Sequence, residues 1–313
     1  MAAVAQPVRM MVIGESLIDV VEGPEGVLRL PGGSPLNVAV GLARLEVSTL
    51  LATELGADDD GRLVADHLAA SGVQLAPRSI RPGTRTSTAT VGMNDAGHAA
   101  YTFDLTWDPE LPPLPRDVVG VHVGSLGTVL EPGRRAVLQV LESDAADSVL
   151  VSYDPNLRAG FLPSWEEVLT VAAHADLVKL SADDLRALHG EDPDTDELVR
   201  ELLTAERTEL VVVTRGGAGA SAFTAGDAVD VPATPRAPVV DTVGAGDSFT
   251  AALLTALDGW DLVGSERGAL AALDRERLAL LLVGAARAAA TTVSRRGANP
   301  PTRGELPPTW PAD

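Results

Sequence analysis

The chain has 313 residues, 45% of them hydrophobic and 22% charged, a composition that supports a real core and excludes disorder as the main state. Acidic residues outnumber basic ones 44 to 24, for a net charge of −20, which argues against sequence-independent nucleic-acid binding and against docking on anionic membranes. The absence of cysteine excludes disulfides, thiolate catalysis and Cys-ligated metal centres.

At roughly 150 residues per domain, this length fits two average domains or one large α/β unit. The five histidines, His67, His98, His122, His174 and His189, show no metal-ligand spacing and read as isolated surface or core residues. No basic region followed by an apolar run marks the N-terminus, and the apolar stretch Leu278–Val293 is too short to span a bilayer. A cytoplasmic protein is expected. Lys179 is the single lysine, in Val178-Lys179-Leu180, so no Walker A loop exists.

In chain order, β-branched runs predict strands at Val8–Ile13, Thr49–Thr53, Val118–Val123, Ser148–Tyr153, Leu177–Leu180 and Glu209–Thr214. Helices are predicted between them at Pro35–Leu45, Gly61–Ala70, Pro132–Ser143, Trp165–Ala173 and Ala182–His189. Such alternation implies βαβ units and a mostly parallel sheet flanked by helices. Two segments break it. Ser16–Leu30 reads as two strands around Gly23-Pro24-Glu25-Gly26, and Arg85–Met93 with Ala99–Leu105 flank the turn Asn94-Asp95-Ala96-Gly97. These insertions, approximately 16–31 and 85–107, predict a small β-sheet lid on one body spanning 1–313. Pro300–Asp313, with its prolines, reads as an irregular surface strap.

The segment richest in chemistry is Asp241-Thr242-Val243-Gly244-Ala245-Gly246-Asp247-Ser248-Phe249, which runs into an apolar helix. Small residues opening a helix leave backbone N–H groups aimed outward, where they and the helix dipole stabilise an anion. Asp247 in the first turn either complements that dipole or accepts a proton from a hydroxyl that attacks a phosphate. Near the N-terminus, Gly32 and Gly33 precede a helix carrying Asn37, which reads either as a tight turn or as a place of close ligand approach. Asp19, at a strand end, is a bidentate acceptor for sugar hydroxyls or only a strand-end carboxylate.

Together these segments resemble the ribokinase-like (PfkB) carbohydrate kinases, most closely the bacterial fructokinase type. Asp241–Phe249 is similar to the C-terminal signature of that family and Gly32–Leu45 to its N-terminal one. Asp154-Pro155-Asn156-Leu157-Arg158 matches D-x-N-x-R, Lys179–Leu185 resembles K-x-[NS]-x-x-E, and Thr214–Gly219 resembles the T-x-G-x-x-G nucleotide turn. The resemblance spans roughly residues 8–300 and implies transfer of the ATP γ-phosphoryl to a sugar hydroxyl. In it Asp247 is the general base, and the N–H groups of Gly244, Ala245 and Gly246 form the anion hole. Asp19, Gly32, Gly33, Asn37 and Arg158 contact the sugar. Lys179, Asp184, Thr214, Gly216, Gly219 and Thr242 serve ATP, with Leu278–Thr292 near the adenine. Mg²⁺ accompanies ATP, and a monovalent cation such as K⁺ matches the carbonyls at Asp241 and Val243. A homodimer through the lid strands is implied as well.

Three positions depart from the family pattern. Asp184 replaces the usual Glu and is one methylene shorter. Glu46 replaces a helix-ending Gly. Phe103–Asp108 lacks recognisable Tyr and Arg sugar contacts, and Trp107 there either stacks on a sugar or belongs to the lid core. Alternative substrates on the same fold are 2-keto-3-deoxygluconate, with Arg158 facing its carboxylate, ribose, or a nucleoside. A silent sugar or nucleotide sensor is disfavoured by Asp247 and its glycines. A dinucleotide site at Gly217-Ala218-Gly219 fails because Ala220–Phe223 reads as a strand, not a helix.

Overall fold

The first strand, Met10-Met11-Val12-Ile13 (β1), is buried at every residue, as expected of a parallel strand covered on both faces. The computed structural model describes residues 7–23, 26–93, 99–234, 238–264 and 266–311. The predicted turn residues Pro24, Glu25 and Asn94–Gly97, together with His98, lie outside the described residues.

After β1 come β2 (Leu17–Gly23), β3 (Gly26–Gly32), α1 (Ser34–Arg44), β4 (Thr49–Ala52), β5 (Leu55–Gly56), α2 (Asp59–Ala70), β6 (Gln74–Leu75), β7 (Ile80–Arg81), β8 (Ser87–Met93) and β9 (Ala99–Asp104). The second half holds β10 (Gly120–Gly124), α3 (Gly133–Leu141), β11 (Leu150–Asp154), α4 (Trp165–Ala172), β12 (Leu177–Ser181), α5 (Ala182–His189), α6 (Thr195–Leu203) and β13 (Leu210–Thr214). It ends with β14 (Ala220–Phe223), β15 (Ala228–Val231), α7 (Ala245–Gly259) and α8 (Arg275–Val293).

The main sheet has the order β15-β14-β13-β12-β11-β10-β1-β4-β6. It is parallel from β13 to β6, and β14 and β15 extend it antiparallel. Alternation along each strand feeds two cores. Met10 and Val12 pack with α1, α7 and α8, whereas Met11 and Ile13 pack with α3, α4, α5 and α6. The strand order reverses between β1 and β10, and this switch point opens a crevice at the carboxyl ends of the strands.

The two insertions supply a second sheet, β3-β2-β8-β9, in which β2 pairs antiparallel with β3 and parallel with β8. The start of α2 ties it down. Asp58 caps Gly61 N at 2.8 Å and also accepts from Thr86 N and Oγ1 at 2.9 and 2.7 Å, and Asp60 pairs with Arg29 of β3. Three predicted strands start two residues later than expected, because β-branched residues such as Val8, Val118 and Val149 precede the paired ladder. α6 and β15 were not predicted. In α6 short polar stretches surround a narrow apolar stripe, and β15 is exposed at alternate positions.

The C-terminal segment is more than a strap. Trp310 is buried against Gly284 of α8, where a β-carbon would collide with its ring. Trp107 is also settled as core. It is buried, its Nε1 donates to Gly127 O at 3.0 Å, and a β-carbon on Gly133 would strike its ring. Glu46 closes α1 with φ 71°, its N–H reaching Ala43 O at 3.0 Å. Glycine adopts this left-handed conformation without the penalty that a β-carbon incurs, about 1 kcal/mol. Glu46→Gly is therefore expected to raise the midpoint of thermal unfolding by about 1–2 °C, measured by calorimetry.

Candidate active site

Gly244, in the left-handed region at φ 74°, turns the chain into α7. A β-carbon there would lie 2.6 Å from Ala298 Cβ, so the turn demands glycine for both space and conformation. The N–H of Ala245 folds back on Thr242 O at 3.3 Å. No hydrogen bond among the described residues occupies the N–H groups of Gly244 and Gly246. They remain available to an anion, as a helix start leaves them.

Asp247, one residue on, is buried. Its Oδ1 accepts from Ser34 Oγ at 2.6 Å and Asn156 Nδ2 at 3.1 Å, and its Oδ2 accepts from Asn37 Nδ2 at 2.8 Å. Burial pushes the Asp247 carboxyl above the usual carboxylate range, against the pull of the Ser34 and Asn37 hydrogen bonds and the Arg158 charge. Asn156, at φ 40°, also donates to Ser34 Oγ at 2.6 Å and accepts from the Arg158 guanidinium at 2.7 Å. Side chains from α1 and the loop after β11 thus converge on one carboxylate of α7.

These groups line a cleft of about 1310 Å³ between the main and small sheets. Asp19, Gly33, Asn37, Arg158, Asp241, Thr242, Val243, Gly244, Ala245, Gly246 and Asp247 all border it, joined by Glu15, Ser34, Asn156, Phe103 and Phe161. The small sheet contributes an apolar face, Leu17, Val21, Leu28 and Leu30, around the single carboxylate of Asp19. Burial raises Asp19 above its ordinary value and the Arg158 charge opposes this. Gly32 does not line the cleft. It supports it, because a β-carbon at Gly32 would strike the Asp19 carboxylate. Gly33, at φ 108°, brings the backbone so near Glu15 that a β-carbon would sit 2.7 Å from its carbonyl. Phe103 of β9 meets Phe161 edge-on at 5.4 Å and joins the small sheet to the main body.

The remaining predicted residues lie beside or beneath the cleft. Lys179 is buried and its Nζ donates to Asp154 Oδ2 at 2.8 Å. Asp184 accepts from Leu157 N at 2.8 Å through Oδ1, and from Ser181 N and Oγ at 2.7 and 2.6 Å through Oδ2. Its shorter side chain thus caps α5 and braces the Asn156–Arg158 loop. Thr214, Gly216 and Gly219 sit at the end of β13 and in the turn after it, beside Ser181 in the sheet register. Gly219 adopts φ 99° where a β-carbon would strike Val231 O. α8 packs against α7, β14 and β15 on that side.

A family model described as "pfkB family carbohydrate kinase" matches residues 9–303. The chain belongs to the pfkB family of carbohydrate kinases. A fructokinase from Klebsiella pneumoniae is 34% identical over 261 residues, covering 80% of this chain and 84% of that one. A Xylella fastidiosa fructokinase structure with bound ATP superposes with TM-score 0.79 at 25% identity, covering 95% of each chain. A Vibrio cholerae fructokinase structure, a double mutant with fructose, ADP and potassium ion bound, gives TM-score 0.75 at 25% identity and 94% coverage of each chain. The pfkB chain is accordingly a sugar kinase with the ribokinase-like fold, and no helix among its described residues is long and apolar enough to cross a membrane.

Sequence reasoning left three cleft residues of this pfkB kinase unassigned. Asn156 stood inside the D-x-N-x-R element, where a positive φ suits asparagine. Ser34 is a helix-start serine whose hydroxyl bonds to Asp247 and caps nothing. Glu15 gave no signal beyond its place after β1. Its Oε2 accepts from Gly127 N at 2.8 Å across the switch point. Burial pushes the Glu15 carboxyl up to about 7. A carboxyl raised in the folded state destabilises the fold as pH climbs from its unfolded value, about 4.5, through about 7. Glu15→Gln keeps the acceptor for Gly127 N and removes the charge. Its melting temperature should exceed that of the parent at pH 8 and match it near pH 4.

Proposed function

We propose that this sugar kinase transfers the γ-phosphoryl group of ATP to fructose, with Asp247 taking the proton from the attacking hydroxyl. The observation that carries this reading is the convergence of Ser34, Asn37 and Asn156 on a buried Asp247 beside the free N–H groups of Gly244 and Gly246. A carboxylate held by three donors is fixed in direction, and its raised pKa brings its basicity closer to that of a working general base. The N–H groups stabilise charge on the phosphoryl group in transit. Asp19 and Arg158 hold sugar hydroxyls, and closure of the small sheet as a lid excludes water and so limits ATP hydrolysis.

Fructose is favoured by the fructokinase relatives, and a neutral sugar by the charges. Arg158 is shared electrostatically by Glu15, Asp19 and Asp247, which leaves the sugar end unsuited to a further carboxylate such as that of 2-keto-3-deoxygluconate. The nucleotide extends from the anion hole past Thr242 toward Thr214, Gly216, Gly219 and α8. No cluster of three or more His, Asp or Glu residues able to hold a metal exists among the described residues. Mg²⁺ would be held mainly by the ATP phosphates and water.

The donor set beside the anion hole fits a monovalent cation such as K⁺. Asp241 accepts from Val243 N at 3.0 Å and Gly297 N at 2.8 Å, pinning two loops together. No described hydrogen bond reaches the carbonyl oxygens of Asp241 and Val243. When bound there, the cation adds positive potential next to the phosphoryl group. A second copy of the chain would pair at the free edge of β3, where Val27 and Leu28 are exposed.

A coupled assay for ADP release across fructose, ribose, 2-keto-3-deoxygluconate and a nucleoside is expected to show the highest kcat/KM for fructose. Preference for the acid sugar would overturn the charge argument. Asp247→Ala should lower kcat by about 10²–10⁴-fold while ATP binding persists. The parent enzyme should lose turnover as pH falls through the raised Asp247 range, because the protonated carboxyl cannot accept a proton. Asp19→Ala should weaken sugar binding far more than ATP binding in calorimetry.

A further inference from the structure

Beneath the anion hole the apolar core is interrupted. Strand alternation turns His122, Ser152, Asp154 and Lys179 toward the layer that contains α7. Lys179 Nζ lies 3.2 Å from the point a β-carbon on Gly246 would occupy. Its partner Asp154 sits one turn further along the helix, accepting from Thr250 Oγ1 at 3.2 Å through the same Oδ2 that binds the amine. The other Asp154 oxygen is buried without a partner.

This orientation is the reverse of what helix stability asks for. A helix N-terminus carries a partial positive charge and is stabilised by anions, so a cation beneath its first turn and an anion below the second oppose the dipole. Burying an ion pair is itself costly, and apolar replacements of such pairs are often neutral or stabilising. The arrangement does strengthen the positive potential at the N–H groups of Gly244 and Gly246.

We infer that Lys179 is a positioning residue for phosphoryl transfer, a buried cation that acts through the first turn of α7 on the anion hole without touching ATP. This inference rests on the proposed site at Asp247. Burial by itself would lower the Lys179 pKa, but the charges of Asp154, Asp184 and Asp247 more than offset it and keep the amine protonated. His122, also within this layer, is held neutral, its pKa pushed down to about 3 by burial and by the Lys179 charge. Lys179 is therefore the cation of the group, and Asp154 orients it.

Because the chain has one lysine, ¹⁵Nζ-lysine labelling places a single side-chain amine signal in the intact enzyme. Magnesium ADP with aluminium fluoride, a planar mimic of the transferring phosphoryl group, is expected to shift that signal well beyond the shift caused by magnesium ADP alone. Equal shifts would overturn the inference. The second test is the neutral pair Asp154→Asn with Lys179→Met, which leaves no buried charge unpaired. Its melting temperature should be at or above that of the parent and its ATP affinity within about threefold, while kcat falls about tenfold to hundredfold. A folded double variant with kcat within about threefold of the parent would show the pair to be structural only. Loss of this inference leaves the Asp247 reading intact, whereas an active Asp247→Ala enzyme removes both.

Discussion

The structure depends on one helix end. At the start of α7 a left-handed glycine aims unpaired N–H groups and a buried carboxylate into the same crevice. Unpaired backbone N–H groups and a buried carboxylate are hard to place together, because each favours a partner the other repels. The carboxylate is kept from turning back onto those N–H groups by three donors, Ser34, Asn37 and Asn156, which hold both of its oxygens. Those donors come from two distant segments, so the helix end is set only when the whole α1–β11–α7 region has folded.

The same constraint explains the polar residues in an otherwise aliphatic interior. Asp184 spends its carboxylate on Ser181 and Leu157, and so fixes the loop that presents Asn156 and Arg158. Lys179 and Asp154 occupy the layer below α7, where a run of valines and leucines would be the simpler packing. Glu15 closes the switch point by bonding to Gly127 N, and burial raises its carboxyl to about 7. Burial makes the Glu15 carboxylate and the Lys179–Asp154 pair costly to the fold, whereas Asp184 both caps α5 and braces the cleft loop.

Much of the fold was legible because buried parallel strands read as unbroken apolar runs, and the helices between them carry proline or capping starts. The second sheet was legible for a different reason, since Ser16–Leu30 and Arg85–Leu105 broke the alternation. Where β15 and α6 were missed, exposure at alternate positions or a short stripe weakened the signal. Trp107 had two open readings from its sequence context. Only packing on Gly133 and a bond to Gly127 O made it core.

For the site, the sequence by itself determined the chemistry that is local. The glycines at 244 and 246, Asp247 in the first helical turn, and the missing Walker lysine are all properties of adjacent residues. Tertiary structure decided everything that needs residues far apart in the chain. It made Asn37 and Ser34 holders of Asp247, brought Asn156 into the same network, and placed Lys179 beneath the helix with no border on the cleft. The physical reason is that periodicity and turn chemistry report the backbone within a few residues. Burial, charge pairing and hydrogen-bond direction are set by contacts that span 91, 210 and 213 positions.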